Sequence, residues 1–373
     1  MDLLIETAAD FTRLVERLRN EPLIAVDSEA ASFHRHADRV YLLQVSTRVE
    51  TWIVDPLAVP GLPGLEALLA DPGIELVFHD ADYDLRLLRH EFGYRVGRVF
   101  DTRLAAQFLN EPGTGLATLL EKYFRVRLDK RWQRADWSAR PLDPAMLSYA
   151  ATDTRHLPEL RDLLHQRLVA AKRLAWVEEE CELLREVRWP EPEPPEVAAL
   201  RAKGARVLTP RALAVYRELY VWREHLAAEL DRAAFRIVGN ETLIVMAQRP
   251  PRTVEALRGL KGLGREVRER YRAAILAAID RGLSLPDSEL PRFPRSPRHR
   301  YDPAFHLRLE RLKLARVEES ARLDLPPGVL APNWLLESIA RAAPGTPDEL
   351  AAIPGIRRWQ QAEIGARLIV ADR

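Results

Sequence analysis

Apolar and polar positions follow two different periods in the first half of the chain. Phe11, Leu14, Val15 and Leu18 fall at helical spacing and predict an amphipathic helix within residues 1–20. After Pro22, the unbroken apolar run Leu23, Ile24, Ala25, Val26 leads straight into Asp27 and Glu29, the pattern of a buried strand that ends in acids. Residues 41–46 and 51–55 read as two further strands on either side of a polar turn at 47–50. Three strands in immediate succession imply a locally antiparallel part of a mixed sheet. Beyond them the pattern predicts a helix at 62–70, a fourth strand at 74–79 and a helix at 83–92. A short strand at 96–100 and helices at 102–110 and 116–124 follow. Asp143 caps a helix that runs through Tyr149 and Asp153, and one long helix is expected from 156 to 185. Strands first and helices later describe an α/β domain whose helices cover its sheet.

Trp189 opens a Pro- and Glu-rich stretch, a stiff linker that marks a domain boundary. From about residue 205 onward everything reads as short helices, with a second Pro-rich break at 283–300. The two helical pieces repeat one another. A shift of 93 residues places Asn240 on Asn333, Leu243 on Leu336, Ala247 on Ala340 and Pro251 on Pro344. The same shift places Thr253 on Thr346, Leu257 on Leu350, Leu260 on Ile353, Gly262 on Gly355 and Leu263 on Ile356. A constant offset through so many positions means two copies of one small helical domain. Each copy carries a Thr N-cap and an apolar-x-Gly-apolar turn ahead of a further helix, whose free N–H groups are candidates for binding phosphate. The expected division is 1–188, 205–284 and 300–373.

Charge sharpens this division. The net charge is only +1, yet residues 201–373 hold 31 Lys+Arg against 21 Asp+Glu, and residues 1–200 hold 25 against 34. An acidic half joined to a basic half suggests one part that collects cations and another that faces a polyanion. No stretch approaches a membrane span and no signal-peptide pattern opens the chain. A single cysteine, Cys181, excludes an internal disulfide and a Cys-rich metal site and fits a cytoplasmic location. With no coiled-coil seam, a monomer is expected.

The candidate chemistry begins at Asp27 and Glu29, which period-two geometry puts on one face of their strand. Two neighbouring carboxylates repel each other and resist desolvation, so a strand that presents both is suited to a cation. Taken alone, the pair reads first as an ordinary strand end whose acids sit in water. Asp84 lies where a helix begins after the fourth strand, and Tyr149 and Asp153, at i and i+4, share one helical face. Asp80, Asp82 and Asp101 are further acids nearby in sequence. Residues 128–141 form an irregular, basic and Trp-containing loop with Lys130, Arg131, Trp132, Arg134, Trp137 and Arg140, suited either to nucleic acid or to tryptophans folded onto the core among solvated arginines.

Asp27-x-Glu29, then Asp84, then Tyr149 with Asp153 resembles the DEDD superfamily of 3′-to-5′ exonucleases, in the subclass with tyrosine in the third motif. The likeness is closest to bacterial ribonuclease D. Phe100-Asp101-Thr102 with Leu104-Ala105-Ala106, the stretch from Asp136 through Trp137, Ser138, Ala139, Arg140 and Pro141 to Leu142, and Tyr149 to Asp153 all look like stretches of that family. The paired helical pieces look like its "helicase and RNase D C-terminal" (HRDC) domains, so the resemblance covers essentially the whole chain. It implies an α/β, ribonuclease H-like mixed-sheet exonuclease domain followed by two small all-α domains. It further implies two Mg²⁺ or Mn²⁺ ions on Asp27, Glu29, Asp84 and Asp153, with Tyr149 aiming the attacking water. The substrate it implies is RNA with a free 3′ end, such as a transfer-RNA precursor; DNA, or an inert binding scaffold, are the competing readings. The family often has a bulky residue where this chain has Ala30, so Phe33 with His34 and Arg35 is expected to take over stacking on the terminal bases. Gln44, His79, Lys130, Arg131, Trp132, Arg134 and Arg140 complete the expected nucleic-acid contacts.

Overall fold

The structure is a computed structural model, and it describes residues 3–293 and 302–369. The N-terminal α/β domain, expected to be the catalytic one, runs β1 (Leu3–Ile5), α1 (Ala8–Leu18), β2 (Leu23–Glu29), β3 (Leu42–Ser46), β4 (Thr51–Val54), α2 (Leu65–Ala70), β5 (Glu75–Phe78), α3 (Asp82–Phe92) and β6 (Arg98–Asp101). Helices α4 (Thr102–Phe108), α5 (Leu116–Phe124), α6 (Pro144–Arg155), α7 (Leu157–Ala170) and α8 (Leu174–Leu184) complete it. The six strands form one mixed sheet in the order β1-β4-β3-β2-β5-β6. Strand β3 is antiparallel to both β2 and β4, and the remaining pairings are parallel. The mixed sheet expected from the sequence is therefore present. The three-residue strand β1 was not foreseen, because so short a run has no period to read.

The longest expected helix is divided. The long helix over 156–185 is two helices, α7 and α8, separated where Lys172 takes the left-handed conformation at φ 58°. No Gly or Pro marks that break. The linker after Trp189 is extended, and its tryptophan is anchored by stacking on His90 at 5.1 Å and meeting Tyr83 edge-on.

The first repeat comprises α9 (Pro195–Arg201), α10 (Pro210–Glu229), α11 (Ala234–Ile237), α12 (Asn240–Gln248), α13 (Val254–Arg258) and α14 (Arg265–Ser284). The second comprises α15 (Pro303–Leu323), α16 (Pro327–Leu330), α17 (Asn333–Ala342), α18 (Pro347–Ala351) and α19 (Arg358–Leu368). The 93-residue offset holds in three dimensions. Asn240 and Asn333 each begin a helix, and Thr253 and Thr346 each cap the next by accepting an N–H at 3.3 Å. Gly262 and Gly355 both adopt positive φ, 86° and 87°. A Cβ there would press on Thr242 and on the Trp334 ring respectively, so both glycines are required twice over. Arg292, in the second Pro-rich break, lies at the edge of the described residues, while Arg295, Arg298, His299 and Arg300 lie outside them.

The repeats are placed differently. The first has its own core, built from residues such as Tyr216, Leu219, Leu243 and Ile275, and this core takes in Ala199 of α9. The buried apolar residues of the second are continuous with the catalytic domain's core. Trp359 of α19 stacks on Trp176 at 5.1 Å and meets Phe108 edge-on at 5.3 Å. The backbone N–H groups of Arg358 and Trp359, which open α19, donate to Glu179 at 2.7 and 3.1 Å. In the second copy, then, the helix start expected to bind phosphate is occupied by the catalytic domain's own carboxylate.

Candidate active site

Register decides which side chains meet. Asp27 is the direct cross-strand partner of Gln44, and Glu29 of Leu42. Ser46, two residues beyond Gln44 on the same face, hydrogen-bonds Thr154 of α6 at 2.7 Å, so Asp27 and Glu29 face α6. That helix starts at the Asp143 cap, whose carboxylate accepts from Ala145 N–H at 2.7 Å. It carries Tyr149 and Asp153 one turn apart and brings them over the end of β2.

The result is a compact acidic centre. Asp27, Glu29 and Asp153 each present a carboxylate oxygen within 4.8 Å of the others. They line a cavity of about 500 Å³ with Tyr149, His79, Arg103 and Gln133. Asp84, in the first turn of α3, approaches the end of β2, and of the neighbouring charges that raise Asp27 its charge is the largest. There Ser28 meets it, its backbone N–H donating at 3.0 Å and its hydroxyl at 2.5 Å to the same oxygen.

Burial and mutual repulsion dominate the electrostatics. Desolvation, then the charges of Asp84, Asp153 and Glu29, hold Asp27 well above the usual carboxylate range. Glu29 is raised in the same way, by burial and then by Asp153 and Asp84. Burial pushes Asp84 and Asp153 each up to about 7. Burial, then the charges of Asp153 and Glu29, drives the Tyr149 hydroxyl far above its ordinary value, so it stays protonated. Burial, with Arg103 nearby, lowers His79 to about 4, leaving a neutral imidazole whose Nδ1 lies 2.9 Å from the Thr102 hydroxyl. A cluster of desolvated carboxylates that offers only hard oxygen donors fits a divalent cation of the Mg²⁺ or Mn²⁺ kind, whose charge offsets the repulsion.

Asp101, one of the additional acids, has a structural task. Its buried carboxylate accepts from four backbone N–H groups: Asp80 at 3.2 Å, Ala81 at 2.8 Å, Arg103 at 2.7 Å and Leu104 at 3.1 Å. It thereby ties the start of α4 to the turn that delivers Asp84. Arg103 is ion-paired with Asp80, which has positive φ at 70°.

These features coincide with what known proteins show. A family model described as "3'-5' exonuclease" matches residues 4–169, and the HRDC domain model matches twice, at 212–279 and 306–371. Ribonuclease D of Gluconacetobacter diazotrophicus is 33% identical over 97% of this chain and 91% of its own length. This chain belongs to the ribonuclease D family. Ribonuclease D of Escherichia coli is 31% identical over 77% of the chain and 76% of its own length. The crystal structure of Escherichia coli RNase D, described as an exoribonuclease involved in structured RNA processing, superposes with a TM-score of 0.70 at 26% identity, covering 99% of this chain and 97% of that one. The catalytic core of RRP6 from Trypanosoma brucei does so at 0.70 and 32%, covering 76% and 80%. The family assigns this chain to the 3′-to-5′ exoribonucleases with paired HRDC domains.

The expected nucleic-acid contacts fall into four groups. His79 lines the cavity. Phe33, His34 and Arg35 lie where the catalytic domain meets the first repeat, and the Arg134 guanidinium sits 5.0 Å from the Phe33 ring centre. Arg131 is at the surface, paired with Asp129, and Trp132 packs partly buried against the α6 cluster. The side chain of Lys130 lies outside the described residues. Gln44 and Arg140 belong to the protein's own framework: Gln44 is fully buried beneath α6, and Arg140 forks onto Asp55 at 2.6 and 2.9 Å while donating to the Tyr41 and Trp137 carbonyls. Ser28, Arg103 and Gln133 were not singled out from the sequence. Only Ser28 carried a signal, as the residue between two motif acids.

Proposed function

We propose that this ribonuclease D family member removes nucleotides one at a time from the 3′ end of structured RNA, using Asp27, Glu29, Asp84, Asp153 and Tyr149. The observation that carries this reading is the convergence of three carboxylates from β2 and α6, with Tyr149 beside them, on one open cavity. Two divalent cations, Mg²⁺ or Mn²⁺, bound by Asp27, Glu29, Asp84 and Asp153 would supply an activated water and stabilise the leaving 3′-oxygen. The chain's own residues do the positioning. The rigid apolar run before Asp27 fixes the spacing of Asp27 and Glu29. Tyr149, protonated throughout the neutral range, donates a hydrogen bond and orients the attacking water without serving as base. Water attacks the terminal phosphodiester, the bond to the preceding 3′-oxygen breaks, and a nucleoside 5′-monophosphate leaves.

The basic second half of the chain suits phosphate contacts that carry little sequence information. All five site residues come from one chain, so a monomer suffices. The lone cysteine, Cys181, is buried and unpaired, in keeping with a cytoplasmic enzyme. The test is release of nucleoside 5′-monophosphates from a 3′-tailed transfer RNA in Mg²⁺, with a DNA of identical 3′ end beside it. Asp27→Ala or Asp153→Ala should abolish release, and retained activity in either variant overturns the site assignment.

A further inference from the structure

The first repeat docks on the segment that immediately follows the Glu29 strand. Ala233 N–H donates to the His34 carbonyl at 3.1 Å, and Asp231 accepts from His36 N–H at 3.2 Å. Arg236 donates to the Phe33 carbonyl and contacts the His34 ring at 3.3 Å. At this junction two phenylalanines meet. Phe33 of the catalytic domain and Phe235 of the first repeat lie edge to face, 6.3 Å apart at 77°, yet remain 42% and 54% exposed. A docking contact that served only to hold domains together would bury such rings; here about half of each residue stays open.

We propose that Phe33 and Phe235 form one stacking platform, shared by the catalytic domain and the first repeat, that receives bases of the RNA's single-stranded 3′ tail on the 5′ side of the nucleotide being removed. Three observations fix that occupant. The platform is tied to the acidic cavity through one loop: Gln133 lines the cavity, and Arg134, the next residue, lies over Phe33. Phe33 is four residues past Glu29, within about 14 Å even of a fully extended chain. The surroundings also have the right chemistry, since open rings flanked by Arg134 and Arg236 pair π-faces with phosphate-binding cations. This composition favours unpaired bases in any sequence, and a base-paired stem would hide the faces that stack.

This inference rests on the reading that the acidic cavity takes the RNA's 3′ end. It assigns the first repeat a direct share in the substrate path, through a residue the catalytic domain lacks. It also explains why Ala30 is tolerated, because stacking is provided three residues further on, by Phe33, and by Phe235.

The test measures equilibrium binding, in EDTA, of hairpin RNAs that carry either a two-nucleotide 3′ tail or one of about ten nucleotides, an ordinary site length for single strands. Phe235→Ala should weaken binding of the long tail by roughly tenfold, the usual loss for one stacked base, with an effect that grows with tail length. Phe235→Leu keeps an apolar contact with Phe33 for docking but lacks the π-face, and should resemble Phe235→Ala. Phe235→Trp should restore binding. Unchanged long-tail binding in the Ala and Leu variants overturns the proposal, and so does a loss shared equally by both tails. Asp153→Asn is assayed in parallel for mononucleotide release: persistent release would refute the active-site reading, whereas the binding series refutes only the platform.

Discussion

Ser28 and Asp84 are joined by two hydrogen bonds to a single carboxylate oxygen, one from the backbone at 3.0 Å and one from the hydroxyl at 2.5 Å. Because side chains alternate along β2, Ser28 points away from Asp27 and Glu29 and still serves the same centre. Both bonds favour the charged form of Asp84, opposing the burial that raises it.

Ser28→Ala should therefore lift Asp84 further above about 7 and move cation binding to higher pH. Loss of a donor to a buried carboxylate costs about 1–3 kcal/mol. Titration calorimetry with Mn²⁺ should show weaker binding in Ser28→Ala and recovery in Ser28→Thr, which returns the hydroxyl. Unaltered Mn²⁺ affinity across a pH series would remove Ser28 from the site.

Stability of the metal-free protein should fall as pH rises. Asp84 and Asp153 titrate near 7 when folded, against 3.8 when unperturbed. Between those values the folded chain keeps protons that the unfolded chain has released, so folding weakens with rising pH across that window and the full penalty is present by about pH 8. Cations displace the same protons, and stabilisation by Mg²⁺ should accordingly be larger at about pH 8 than at about pH 6. Asp153→Asn removes one repelling charge. In EDTA at about pH 8 it should melt above the parent, with a gain in stability of about 0.5–2 kcal/mol, while losing the Mg²⁺-dependent shift. A lower melting point than the parent under those conditions would contradict the repulsion on which the cation site is argued.

Asp101 offers a separate handle on the same centre. In Asp101→Asn the amide nitrogen would face a backbone N–H, either that of Ala81 or the group formed by Asp80, Arg103 and Leu104. At least one buried donor then loses its acceptor, at a cost of about 1–3 kcal/mol for each. Since the turn it holds delivers Asp84, kcat for mononucleotide release should drop more than KM rises. Equal changes in both would mean that the turn does not control the acids.

Sequence reading recovered what is periodic or repeated. The spacing of Asp27 and Glu29 follows from strand alternation, that of Tyr149 and Asp153 from the helical turn, and the duplicated helical domains from a constant 93-residue offset. What escaped it depends on contacts between distant segments. Nothing local shows that Ser28 reaches Asp84, or that Asp101 faces inward to four amides. The break at Lys172 has no Gly or Pro signal, and Arg140, read as a phosphate contact, is claimed by Asp55, 85 residues away in sequence. The helix start at Arg358 looked open to phosphate because its partner, Glu179, lies 179 residues earlier.

That last pairing makes the second repeat part of the catalytic body. Trp359 is 4% exposed, stacked on Trp176, set edge-on to Phe108, and its indole N–H donates to Glu180 at 3.1 Å. Around it Arg357 forks onto Glu180 at 3.0 and 3.1 Å, and Arg358 reaches Glu182 at 3.0 Å. Trp359→Ala removes the central ring and leaves a cavity, for which about 3–5 kcal/mol is the usual cost. The expected result is release of the second repeat as a protease-accessible unit, seen by limited proteolysis and as a larger radius of gyration in solution scattering. Arg358 N–H and Trp359 N–H bond different oxygens of Glu179, so Glu179→Gln keeps an acceptor for only one of them; it should loosen docking by about 1–3 kcal/mol, less than Trp359→Ala. The first repeat has its own core and a different docking segment, so Trp359→Ala should leave the contacts of Phe33 with Phe235 in place. If both repeats come free together in that variant, the two docking sites are coupled and the shared-core account of the second repeat is wrong.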